Sequence, residues 1–197
     1  MKTKASAVTI AFAALTIVLN PIRIPTLFWP AFFYRLWEIP IVVAFLLFGA
    51  RIGVSVAVIN TLAQTVLFPV PAGILAYPWG LVATLTMLGG VYLAYKLLSN
   101  SSSKDASLFG AKPILYFTSL AIAFRAGIMP FIDYAVYNSL LPIALGRSFS
   151  EAYVIGLIPA IVFFNITVPL YTVPIAYIAA KKISKSIEID PSFKSYV

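Results

Sequence analysis

Few side chains in this 197-residue chain can do chemistry: six acids, fourteen Lys and Arg, and neither His nor Cys. Without imidazole or thiol there is no ready base near neutral pH, no thiolate nucleophile and no zinc site of the usual ligands. No metal or cofactor site is expected. Asp105 sits in a Ser-rich run, and Glu188 and Asp190 lie in a polar C-terminal tail. Glu38, Asp133 and Glu151 remain, too far apart in sequence to read as a carboxylate motif. The chain has no Gly-rich phosphate loop with its Lys and no series of acids for proton relay. Uphill transport would therefore draw its energy from a partner.

The polar groups set inside apolar sequence carry more information. Arg125 lies deep in an apolar stretch, and Asp133 follows eight residues later, about 80° away on the same helical face. An ionisable residue at membrane depth is a functional candidate, and its structural alternative is an ion pair, Arg125 with Asp133 or with Glu38. Asn138 and Asn165 are the other polar candidates. An amide offers donor and acceptor together, suited to the edge of a heteroaromatic ring, or else to an interhelical hydrogen bond.

The elements that must position these groups follow from composition. The chain is 61% hydrophobic and 10% charged, with mean hydropathy +0.99, whereas a soluble domain needs about 25% charged residues. It reads as an all-α integral membrane protein, a single domain over residues 1–197 with six spans near 5–20, 38–50, 53–68, 79–98, 113–136 and 152–180. The first is a retained helix rather than a cleaved leader, because no small-residue cleavage site precedes Pro21. The apolar run 38–68 would extend about 46 Å as one helix, well beyond a bilayer core of about 30 Å. It should break at Gly49-Ala50-Arg51-Ile52-Gly53. The last span holds Pro159, Pro169 and Pro174, so discontinuity is expected there, and residues 137–150 are expected as a loop.

The net charge of +8 is a topology signal rather than a nucleic-acid one. Six spans put ten Lys and Arg on one side against Arg23, Arg35 and Arg147 on the other, which places both termini in the cytoplasm of a cell-membrane protein. The opposite side is built from the aromatic segment 21–37, the uncharged 69–78 and 137–150. Such segments either enclose a small organic molecule or float the protein at the lipid interface. Ala7 and Ala11 form a small-xxx-small pair that admits another helix, a spacing repeated at Gly49/Gly53 and Ala176/Ala180.

These residues together resemble the substrate-binding S components of energy-coupling-factor (ECF) vitamin transporters, over nearly the whole chain. The Ala7-xxx-Ala11 pair falls where that family carries its AxxxA motif. Residues 38–60 (EIPIVVAFLLFGARIGVSVAVIN) are similar to a run in the riboflavin-specific members. So are Phe164-Asn165-Ile166 and Asn138 with Pro142. The resemblance implies a protein that is not an enzyme and captures a water-soluble vitamin, riboflavin first, at the external face. Transport would depend on a transmembrane coupling protein and two ATPases. It further implies that Ala7 and Ala11 contact the coupling protein and that Asn138 and Asn165 hydrogen-bond the ligand. Phe33 and Tyr34 would belong to a lid, and Arg125, Asp133 and Trp79 complete the expected substrate contacts. Val168 stands where the riboflavin members have Lys, which leaves Arg125 to replace that cation. The alternatives are a small membrane enzyme acting on lipid-linked substrates and a ligand-free assembly subunit.

Overall fold

The computed structural model describes residues 2–26, 32–69, 76–100, 111–146 and 148–186. The Ser-rich linker, the C-terminal tail with Glu188 and Asp190, most of segment 69–78 and Arg147 lie outside the described residues. The architecture is a helical bundle with one small ribbon. Helix α1 (Lys2–Leu19) ends at Asn20-Pro21, where the proline ring cannot continue a helix. Strands β1 (Arg23–Pro25) and β2 (Phe33–Arg35) then pair antiparallel, with Arg23 opposite Arg35, Ile24 opposite Tyr34 and Pro25 opposite Phe33. Pro25 is tolerated because a two-stranded ribbon consists only of edges.

Helices α2 (Glu38–Phe48) and α3 (Ala50–Leu67) follow, separated by one residue. Gly49 adopts φ 91°, a left-handed conformation open to glycine. Its N–H donates to Phe45 and its carbonyl accepts from Gly53, so Gly49 pairs one backbone group of each helix end. The break thus falls at the start of the expected Gly49–Gly53 window. Gly53 lies against Phe45, where an added Cβ would come within 2.6 Å of that residue's Cβ. The α2 side chains from Pro40 to Leu47 are buried, because α1, α3, α4 and α7 pack around them.

Helix α4 (Ala76–Asn100) packs on α5 (Ala111–Ala135) through Gly90, where a Cβ would overlap the Leu120 carbonyl. The expected loop at 137–150 is largely helix instead. A π turn over Val136–Leu140 runs into α6 (Leu141–Leu145), which ends at Gly146 in the left-handed region with φ 63°. The π turn matters for Pro142, whose missing N–H and bulky ring disturb the preceding turn. Helix α7 (Glu151–Ser186) is one continuous helix with all three prolines inside it, so the expected discontinuity is corrected. Breaking it in lipid would leave several backbone groups unsatisfied at several kcal/mol each, whereas each proline removes only one hydrogen bond.

Among the described residues, four helical stretches are long and apolar enough to cross a membrane: Ala50–Leu67, Ala76–Ser99, Pro113–Leu145 and Glu151–Ser186. Two apolar helices, Ala5–Leu19 and Glu38–Phe48, are shorter. Large apolar side chains such as Val66, Phe131 and Ile143 point outward, as expected of a surface in contact with lipid. The chain is a multi-pass membrane protein.

Candidate functional site

A cavity of about 260 Å³ opens at the end of the bundle where the ribbon, the N-termini of α2 and α4, the C-terminal half of α5 and the middle of α7 meet. That volume lies just below the roughly 300–1,000 Å³ of small-molecule sites. Aromatic faces make much of its wall: Phe33 from the ribbon, Trp79 from α4, Tyr137 from the π turn, and Phe164 and Tyr171 from α7. Trp79 and Tyr137 meet edge to face at 5.7 Å. The apolar side is completed by Met129, Ile161 and Val168.

Three helices are tied together inside the cavity by one guanidinium. Arg125 Nη1 donates to Glu38 Oε2 at 2.7 Å, and its Nε donates to Asn165 Oδ1 at 3.1 Å. The amide of Asn165 donates in turn to the Ile161 carbonyl, which orients its oxygen toward Arg125. The other Glu38 oxygen lies 3.2 Å from the Thr84 hydroxyl on α4. Arg125, Glu38 and Asn165 are 4%, 5% and 3% exposed, so this pair forgoes hydration and is maintained by charge-assisted hydrogen bonds. Eight residues on, Asp133 accepts from Trp79 Nε1 at 2.5 Å. Helical spacing brings Arg125 and Asp133 to the same cavity, yet each takes a different partner.

The ribbon is anchored on α7. Tyr34 stacks on Phe164 (5.6 Å, 19°), and its hydroxyl donates to Thr167 at 3.0 Å. Tyr171 donates to the Arg35 carbonyl at 2.8 Å. Phe33 and Arg35 face the cavity, whereas Tyr34 braces the ribbon from behind. Trp37 also lines the cavity, and its buried Nε1 has no hydrogen-bond partner among the described residues.

Asn138 is placed elsewhere. It is exposed beyond Tyr137, outside the cavity lining, with its amide donating to the Tyr134 carbonyl at 3.0 Å. Ala7 and Ala11 are exposed on α1, away from the cavity. In the sequence Glu38 reads only as an ion-pair partner for Arg125, and within segment 21–37 and the last span nothing singles out Arg35, Trp37 or the α7 aromatics. The signal for Glu38 was present: an acid opening a long apolar run meets the same criterion that singled out Asp133.

Among solved structures, the S component of a bacterial ECF transporter superposes with a TM-score of 0.75 at 18% sequence identity, over 95% of this chain and 99% of that one. The chain has that fold. No family model matches the sequence, and no curated protein matches it. In the S-component fold seen here, the cavity is closed on one side by the ribbon and floored by the Arg125–Glu38 pair.

Proposed function

We propose that the protein is the solute-capture subunit of an ECF-type transporter, taking up a water-soluble vitamin for which riboflavin is the first candidate. The observation that carries the reading is the cavity itself: stacked and edge-on aromatic rings surround a buried Arg125–Glu38–Asn165 cluster at one end of an S-component fold. Aromatic faces suit a flat ring, and the few convergent polar groups would fix its orientation. In this reading six helices cross the membrane, both termini are cytoplasmic and the cavity faces outward. Capture is the subunit's whole task, and a membrane coupling protein with two ATPases supplies the energy. In this reading the subunit is not an enzyme, in keeping with its likeness to a transporter S component.

Val168 is buried in the cavity wall and brings no cation to the ligand. The test is a titration of purified protein with riboflavin. Quenching of flavin fluorescence at sub-micromolar concentration is expected. If neither riboflavin nor any other vitamin binds, the reading is wrong.

A further inference from the structure

The cavity lining carries two acids, Glu38 and Asp133, and two arginines, Arg125 and Arg35, and Arg23 beside Arg35 adds one further positive charge. Three of the chain's six acids lie among the described residues, and each is engaged: Glu38 by Arg125, Asp133 by Trp79, and Glu151 by the Tyr134 hydroxyl at 3.5 Å. Asp105, Glu188 and Asp190 belong to segments that follow the far ends of α4 and α7. The cavity lies at the N-terminal end of α4, and Asn100 is about 25 Å further along that helix. Residues 27–31 and 70–75, which adjoin the cavity end in sequence, contain no acid.

Two arginines nevertheless stand at this mouth. Arg35 lines the cavity, and Arg23 is its direct cross-strand partner. Directly opposed residues carry their Cβ atoms about 4.5–5.5 Å apart on one face of a ribbon, and like charges there repel. Neither guanidinium makes a salt bridge among the described residues. Burial lowers the pKa of Arg35 from its usual value and Arg23 lowers it further, while Tyr77, Glu38 and Tyr171 offset part of that. The ribbon backbone at Arg35 is held on α7, by the Tyr34 contacts with Phe164 and Thr167 and by Tyr171 donating to the Arg35 carbonyl.

We infer that Arg35 and Arg23 form a subsite for an anionic group, a phosphate or carboxylate, carried by the captured solute and held at the cavity mouth while the rest of the solute enters. The inference rests on the solute-capture reading and specifies the chemistry of its ligand. A planar guanidinium presents paired donors matched to two oxygens of such a group. The neighbouring Arg23, which is exposed, adds long-range attraction that salt screens.

Two measurements on full-length protein in maltoside detergent test it. In the first, thermal unfolding is followed in sodium phosphate and in sodium chloride at equal ionic strength. Phosphate should raise the melting midpoint of the wild type, and Arg35→Gln or Arg23→Gln should remove that rise; the midpoints in chloride report whether each variant is folded. In the second, riboflavin and its 5′-phosphate ester are titrated in parallel. The ester should bind about tenfold or more tightly, and Arg35→Gln should bring the affinity ratio toward one. Equal affinities with no phosphate effect overturn the subsite and leave vitamin capture standing. A phosphate effect without binding of either flavin supports the subsite and overturns the riboflavin reading. Loss of the phosphate effect on adding phosphatidylglycerol assigns the arginines to a lipid headgroup and overturns a solute-borne anion.

Discussion

Arg125 illustrates how much one buried side chain can decide. It connects α5 to α2 through Glu38 and to α7 through Asn165, so its removal leaves a buried carboxylate without its cation. Arg125→Met should cost about 3–5 kcal/mol of stability, as breaking a buried pair does, whereas the double variant Glu38→Leu/Arg125→Met should recover most of that loss. Unfolding of the purified variants in detergent measures both. For Asn165→Ala, loss of a buried hydrogen-bonding group predicts solute binding weaker by roughly 1–3 kcal/mol, about 5- to 150-fold, read by the same fluorescence titration. At this scale the sequence was partly legible. Arg125, Asp133 and Asn165 stand out because a polar group in an apolar helix must face protein, and all three line the cavity. Asn138 meets the same criterion but is turned away: five residues past Asp133 on a helix is about 140° around the axis, and the intervening π turn re-aims it again. Arg35 and Trp37 were not legible, since their orientation depends on how the ribbon is fastened to α7.

Among the elements, adjacent glycines on α4 give opposite expectations. Gly90 touches the α5 backbone at Leu120, whereas a Cβ on Gly89 would sit 3.5 Å from the Phe124 ring, an ordinary contact. Gly90→Ala should therefore destabilise by about 1–3 kcal/mol through overpacking. Gly89→Ala should be neutral or stabilising by up to about 1 kcal/mol, the difference in helix propensity. Melting midpoints of the two variants decide it. The α2–α3 break was readable from Gly49 and Gly53 around Arg51, because a charge at the bilayer centre is costly. The ribbon was not, because strands of three residues with prolines at 21, 25 and 30 carry too little alternation to register. The continuity of α7 was masked by a rule learned in water, where proline ends helices; lipid changes the comparison by making an open backbone worse.

For the whole molecule, the exposed Ala7/Ala11 face of α1 and the cavity are separate surfaces, so their functions should separate under mutation. Ala7→Leu with Ala11→Leu should abolish cellular uptake while leaving solute affinity of the purified protein intact, since bulk there blocks close helix approach. Normal uptake by that variant would detach the alanine pair from partner contact. A final consequence follows from the enclosure of α2. It is only 11 residues long, about 16 Å, and its apolar length has no lipid to match because other helices surround it. A thinner or thicker bilayer can tilt the outer helices, but it has no direct grip on the inner rod whose first residue, Glu38, anchors the guanidinium. Solute affinity should therefore stay level when the protein is moved between vesicles of short and long acyl chains, even as its tilt in the membrane changes.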